Sequence, residues 1–140
     1  MINQRLQTDS LLIAPAARTS SVTTTANLDT RGASYATIRV PLSSAINTNA
    51  VGPTLVLSES DDTVATNFTA ISTRTAESIV AAKTMVYGID LRGRKRYLRL
   101  SVSTATATND NVTFAAIATL SDLENAPNGT TGVADVAVFI

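Results

Sequence analysis

The chain of 140 residues contains no cysteine, no histidine and no tryptophan. Without cysteine there can be no disulfide framework, no zinc site built on thiolates and no cysteine nucleophile. Without histidine the chain lacks the usual general base, the Ser-His-Asp triad and the usual ligand of transition metals. We therefore expect a protein that is not an enzyme and that carries no metal or cofactor.

Charge is also scarce. The 11 basic and 11 acidic residues balance to zero and make up 16% of the chain, against about 25% in an average protein. Zero net charge argues against nucleic acid as a partner, because such binding rests on an excess of positive charge. No apolar run approaches the about 20 residues that cross a membrane. Residues 1–10 are polar and lack the order of a signal peptide, so we expect synthesis in the cytoplasm and no membrane partner.

Small and β-branched residues take the place of charge. Thr, Ser and Ala together supply 56 of the 140 positions, and the mean hydropathy is positive. A chain of this composition has enough apolar surface to fold. Thr, Val and Ile lose rotamer freedom in helices and pack well on pleated surfaces, so the composition favours an all-β fold.

Alternation of apolar and polar residues predicts seven or eight short strands. In the clearest case, Ile38, Val40 and Leu42 fall on one face of a strand. The predicted strands are 20–29, 36–42, 54–60, 63–72, 84–91, 97–103, 112–120 and 133–140. Residues 76–83 form the one window that suits a short helix. The pattern is typical of a single-domain antiparallel β-sandwich of jelly-roll-like type, spanning residues 1–140.

Two further features concern the ends and the connections of the strands. Pro15 interrupts the weak alternation of residues 1–18, and we expect this segment to be an extended arm that reaches a neighbouring subunit. The alternating runs 84–91 and 97–103 flank a short, glycine-containing basic segment. This arrangement is the strongest hairpin signal in the chain.

Five of the eleven basic residues lie within eight positions of one another. They are Arg92, Arg94, Lys95, Arg96 and Arg99. Such a cluster could bind an acidic protein surface, or it could be a solvated turn whose charges keep a sheet edge from pairing with other chains. No aromatic ladder accompanies it for stacking on bases, which makes nucleic acid the less favoured partner.

A second cluster is acidic and comprises Glu59, Asp61 and Asp62. Neighbouring carboxylates could bind a hard cation such as calcium, but their spacing does not match an EF-hand loop. Paired carboxylates also serve glycosidases, where they must face each other across a cleft. We interpret the cluster as a turn in which Asp side chains cap backbone N–H groups.

The low charge content bears on assembly. A monomer of this size buries about two thirds of the surface of its unfolded chain, and here the remaining surface is largely Thr, Ser, Asn and Ala. Small neutral side chains suit close contact between subunits, because no charge has to lose its water. We therefore expect a homo-oligomer.

Two stretches carry a resemblance to a known class of protein. One is LSESDD at 57–62 followed by NFTAI at 67–71, and the other is DLRGRKRYLRLSV at 90–102. Both resemble sequences of small structural proteins of tailed bacteriophages, the capsid cement or decoration proteins. The opening MINQRL is similar too, so the resemblance extends over most of the chain. Neither stretch contains a catalytic motif.

The resemblance implies a β-sandwich that sits on the outer surface of the phage capsid, binds the major capsid protein and stabilises the shell against the pressure of DNA. It implies a homotrimer or dimer, of which we favour the trimer, and synthesis in the bacterial host. The basic cluster from Arg92 to Arg99 would then contact acidic capsid surface. The main alternative is a head domain of a tail or capsid fibre that binds carbohydrate or a host receptor, with a host-surface glycan as partner. A nucleic-acid-binding accessory protein ranks third.

Overall fold

The structure is a computed structural model that describes residues 7–19, 21–43, 52–75, 82–104, 112–121 and 136–140. These residues form nine strands and one short 3-10 turn, Ala65–Asn67. The strands are β1 (Gln7–Arg18), β2 (Thr23–Asp29), β3 (Tyr35–Leu42), β4 (Thr54–Ser60), β5 (Thr69–Thr75), β6 (Lys83–Asp90), β7 (Tyr97–Ser103), β8 (Val112–Ser121) and β9 (Val136–Phe139). Within the described ranges, no helix is long and apolar enough to cross a membrane.

The strands build two sheets with a nested order of pairing. One sheet has the order β1-β8-β3-β6-β9 and the other β2-β7-β4-β5. Strand β1 pairs antiparallel with β8, β2 with β7, β3 with β6 and β4 with β5, while β9 adds to β6 in parallel. This is the wrapped double hairpin of a jelly roll. The predicted all-β sandwich of jelly-roll-like type is therefore confirmed.

The core lies between the sheets and follows the period-two pattern of the sequence. On β7, Leu98, Leu100 and Val102 are buried while the residues between them are half-exposed. On β4, Leu55 and Leu57 are fully buried and lie in register with Val102 and Leu100. Successive side chains of a strand point to opposite faces of a sheet, so these residues meet the inner face of the opposite sheet in one apolar cluster.

Strand β1 was not predicted as a strand from the sequence pattern. The segment expected to be an arm is extended over Gln7–Arg18, but it lies along β8 of the same chain, at the edge of the five-stranded sheet. Its pairing with β8 shifts register twice, between Leu11 and Ile13 and between Ile13 and Ala16. These shifts and Pro15 break the alternation, which is why the sequence showed only a weak strand signal here.

The predicted hairpin around the basic segment is wrong. Strand β6 pairs with β3 and β9, whereas β7 pairs with β2 and β4, so residues 91–96 cross from one sheet to the other. Alternation shows which face of a strand is buried but not which strand lies beside it. Of the expected helix at 76–83, residues 76–81 lie outside the described residues. Ala82 is irregular and Lys83 begins β6, so these two are not helical.

Candidate functional site: the charged corner

Three segments meet at one end of the sandwich, and we call them together the charged corner. They are residues 29–34 between β2 and β3, residues 59–68 at and after the end of β4, and residues 90–99 between and including the ends of β6 and β7. Strand β7 lies between β2 and β4, so Tyr97 at its start is in register with both Asp29 and Ser60. The sheet order therefore brings together residues that are far apart in the sequence.

Two of the three segments share a four-residue motif. Asp29-Thr30-Arg31-Gly32 and Asp90-Leu91-Arg92-Gly93 each follow a strand and turn the chain toward the other sheet. In both, the arginine N–H donates to the Asp Oδ1, at 3.1 and 3.0 Å. In both, the glycine has a φ near +80°, a conformation that residues other than glycine rarely adopt.

The two motifs are related by an approximate twofold axis. The Thr30 N–H donates to the Arg96 carbonyl at 3.0 Å, and in return the Leu91 N–H donates to the Ser34 carbonyl at 2.9 Å. Strand register repeats the relation, because Asp29 lies opposite Tyr97 and Asp90 lies opposite Tyr35. Each connection thus satisfies backbone groups of the other, and the two links between the sheets hold each other in place.

Each motif aspartate holds an arginine against a tyrosine ring. Arg92 donates to both oxygens of Asp90 at 2.6 to 3.2 Å, and its guanidinium lies 5.3 Å from the centre of the Tyr35 ring. In the other motif, the side chain of Arg96 rather than that of Arg31 donates to Asp29, at 2.7 and 3.1 Å. The Arg96 guanidinium lies 4.6 Å from the centre of the Tyr97 ring. Such two-point pairs fix both partners, and the ring adds a cation–π contact.

These pairs shift the pKa values of their members. The hydrogen bonds from the Arg96 side chain lower the pKa of Asp29 to about 2, and those from the Arg92 side chain do the same for Asp90. The same hydrogen bonds raise the pKa of both arginines. A charged partner stabilises the ionised form of each group, so both aspartates stay ionised in all but strongly acidic solution and both arginines stay protonated.

The remaining basic residues of the cluster also contact groups of the same chain. Arg94 lies 3.7 Å from Glu59 and Lys95 lies 3.7 Å from Asp61. Arg99 donates to Asn27 Oδ1 at 2.9 Å and to the Ala65 carbonyl at 3.1 Å. Its guanidinium lies 3.8 Å from the centre of the Phe68 ring and so covers one face of that ring.

The structure thus brings all five predicted basic residues to one surface, but not as an open positive patch. Four of them are paired with a carboxylate of the same chain, and the acidic cluster of the sequence supplies two of those carboxylates. Three of the pairs are exposed and add little stability, whereas the Glu59 side chain in the fourth is only 16% exposed. The four pairs make the corner a surface of mixed and nearly balanced charge.

The interpretation of the acidic cluster as a turn is confirmed for Asp61 and Asp62, whereas Glu59 lies in β4. Asp62 accepts hydrogen bonds from the Val64 N–H at 2.9 Å and from the Asn67 side chain at 2.8 Å. The bond from Asn67, followed by that from Val64, lowers the pKa of Asp62. Asp62 therefore fixes the loop between β4 and β5, in the manner of an Asx turn. Among the residues that the structure describes, no group of three potential ligands is arranged to hold a metal ion.

The aromatic side chains that the structure describes offer little open surface near the corner. Tyr35, Tyr87 and Phe114 are buried, and the half-exposed rings of Phe68 and Tyr97 each carry an arginine on one face. Binding of sugars or bases commonly uses exposed ring faces.

Arg31 was not among the predicted site residues. It lies 61 positions before Arg92 in the sequence, outside the basic cluster, yet it occupies the equivalent place in the other motif. The repeated Asp-x-Arg-Gly pattern was the signal that could have identified it. A four-residue motif that occurs twice is too short to be recognised as an internal repeat from the sequence alone. The strand pairing shows that its two copies occupy equivalent places.

No protein-family model and no curated protein matches the chain. Among solved structures, the chain is similar to that of the infectious bursal disease virus Gx strain, with a TM-score of 0.49 and 13% identity. The match covers 86% of this chain and 32% of that chain. It is also similar to the VP2 subviral particle of infectious bursal disease virus, with a TM-score of 0.48 and 12% identity. That match covers 86% of this chain and 33% of the VP2 chain. The chain spans about a third of either matched chain. Similarity at this level does not indicate the function of the chain.

Proposed function

We propose that the chain is a non-catalytic structural protein of a virion, which binds the outer surface of a tailed-phage capsid and stabilises it. One observation carries the proposal. The two stretches that resemble decoration proteins, within 57–71 and 90–102, lie far apart in the sequence but build one surface. They pair along β4 and β7 and are joined at the charged corner by the contacts of Arg94, Lys95 and Arg99.

The physical properties of the chain suit this role. A protein that stabilises a shell needs no chemistry, only many modest contacts repeated by symmetry, so that multivalency supplies the avidity. The partner is the major capsid protein, and the chain associates with itself, as a trimer in preference to a dimer. It is synthesised in the bacterial host cytoplasm and ends on the outer capsid surface, with the charged corner against acidic capsid surface.

The number of copies in purified virions tests the proposal. Quantitative mass spectrometry of particles of the phage that encodes the chain should give an abundance comparable to that of the major capsid protein. A few copies per particle would favour the receptor-binding head of a tail or fibre instead. Complete absence from virions would overturn a structural role of either kind.

Binding to capsids tests the charged corner as the contact surface. Arg94→Ala with Lys95→Ala should weaken binding to capsids that lack the chain by about tenfold, because Glu59 and Asp61 then face an acidic partner unpaired. The Lys95–Asp61 pair is exposed and contributes little stability, whereas the Glu59 side chain is only 16% exposed, so its carboxylate loses a partner in a largely buried position. The thermal unfolding midpoint should therefore fall by a few degrees, and binding is compared well below it. The matched control is Arg74→Ala with Lys83→Ala, which removes two positive charges outside the corner. Equal binding by both variants would remove the corner from the interface.

A further inference from the structure

We infer that Arg31 is the residue of the charged corner that binds a carboxylate on the partner surface. This inference rests on the proposed function, and it assigns the main contact to a residue outside the basic cluster. Arg31 is exposed at the tip of the turn between β2 and β3. Within the described part of the chain, its guanidinium makes no ion pair or hydrogen bond, in contrast to those of Arg92 and Arg96.

The approximate twofold symmetry explains why Arg31 is unpaired. In one motif Arg92 pairs with Asp90, the aspartate of its own turn. By symmetry Arg31 would pair with Asp29, but Arg96 from the opposite connection occupies both oxygens of that carboxylate. Only the backbone N–H of Arg31 bonds to Asp29, at 3.1 Å. The second connection therefore places two arginines beside one carboxylate, and only the guanidinium of Arg96 is hydrogen-bonded to it.

The turn also holds Arg31 in a defined position. Its N–H is fixed by Asp29, the next residue is Gly32 with φ of +82°, and the Ala33 N–H donates to the Thr30 carbonyl at 3.1 Å. A rigid turn reduces the entropy that is lost when the side chain is ordered by a partner. A guanidinium presents paired donors in a geometry that matches a carboxylate.

The surroundings of Arg31 favour a protein carboxylate over the phosphates of nucleic acid. The corner contains five acidic residues, Asp29, Glu59, Asp61, Asp62 and Asp90. A polyphosphate backbone passing over the corner would meet this negative charge repeatedly, whereas a single carboxylate at Arg31 would not. The nearby rings of Phe68 and Tyr97 each already carry an arginine.

The test compares single variants in a binding titration. Capsids from a phage strain that lacks the gene are titrated with labelled protein, and bound and free fractions are separated by sedimentation. We expect Arg31→Ala to bind about tenfold more weakly, the effect of losing one charge-assisted contact. Arg31→Lys should recover part of the affinity, because it keeps the charge but not the two-point geometry. Arg74→Ala removes an exposed arginine of β5 and serves as the matched control.

The outcomes separate this inference from the proposed function. If the wild-type protein does not bind such capsids, the proposed function fails. If it binds and Arg31→Ala binds equally well with an unchanged unfolding midpoint, only the role of Arg31 is overturned. If the wild-type protein also binds duplex DNA at low salt and Arg31→Ala loses that binding instead, the contact is to nucleic acid and the carboxylate partner is wrong.

Discussion

At the scale of single residues, Tyr87 is the position where the core departs from apolar packing. Its side chain on β6 is fully buried, and its hydroxyl has no hydrogen-bond partner among the residues that the structure describes. Burial raises the pKa of this hydroxyl to about 12 from 10.0, because the charged form would lose its water. Alternation within the predicted strand 84–91 puts Tyr87 on the same face as Met85 and Ile89, but it does not show that the whole ring is enclosed.

Replacing Tyr87 with Phe should therefore stabilise the fold. The substitution keeps the ring and removes a buried polar group whose desolvation is not compensated, so the free energy of unfolding should rise by about 1 kcal/mol. Urea titration at pH 7 measures this change. Tyr97→Phe is the control, since the half-exposed Tyr97 should give a change near zero. A loss of stability in Tyr87→Phe would mean that the hydroxyl binds an ordered water.

The stability of Tyr87→Phe should also depend on pH differently from that of the wild type in alkaline solution. Tyr87 keeps its proton up to about pH 12 in the folded state but only to about pH 10 when unfolded. The free energy of unfolding is therefore unaffected by this group below pH 10 and falls as the pH rises toward 12, because the folded state then binds more protons than the unfolded state. Stability should fall less steeply across this range in Tyr87→Phe than in the wild type.

At the scale of elements, the sequence predicts strands well where one face is buried and alternation is regular. The predicted strands at 54–60 and 97–103 coincide with β4 and β7. Strand pairing was not predictable in the same way, because it depends on contacts between distant segments. The connection at 91–96 looked like a hairpin turn, and only the backbone bonds of Thr30 and Leu91 reveal it as half of a symmetrical pair of connections.

The two motif glycines allow a test of these connections. Gly32 and Gly93 have φ values of +82° and +80°, and a Cβ at either position would meet nothing within 4 Å. Alanine should therefore cost only the backbone strain of the left-handed conformation, about 1 kcal/mol at each site. Asparagine tolerates this conformation better, so Gly32→Asn and Gly93→Asn should cost less than the alanine variants. These values are measured by denaturant unfolding.

A result that would contradict the argument is an alanine variant as stable as the wild type. It would mean that the turns relax to a negative φ without disturbing the reciprocal bonds. Because each connection supports the other, the two alanine substitutions together should also cost more than the sum of their separate effects.

At the scale of the whole molecule, composition indicated the sandwich, whereas the nested order of strands came from the structure alone. Every predicted strand overlaps one of β2 to β9, and β1 is the addition. The predicted strand 63–72 shares only residues 69–72 with β5, because Ala65–Asn67 form a 3-10 turn. The charged corner illustrates the limit of sequence reasoning. A run of basic residues is visible in the sequence, but the carboxylates that neutralise it come from β2, β4 and β6. Only the fold shows that the cluster is balanced and that Arg31 is in excess.

Self-association is the property of the whole molecule that remains to be measured. Among the described residues, the large apolar side chains that are exposed are Leu11 at 59%, Val64 at 54% and Ile117 at 40%. Leu11 and Ile117 lie directly opposite each other on β1 and β8, so they form one exposed apolar pair, whereas Val64 stands alone in a loop. Contiguous exposed apolar surface marks sites of protein contact, and this pair is where such surface begins on the described residues.

Sedimentation velocity at micromolar concentration should show a trimer for the wild-type chain. Leu11→Thr with Ile117→Thr should shift it toward the monomer, while Val64→Thr should leave the trimer intact. Both variants change exposed positions, so unfolding free energies should stay within about 0.5 kcal/mol of the wild type. A monomeric wild type would contradict self-association. A trimer unaffected by the double variant would place the interface between subunits elsewhere on the chain.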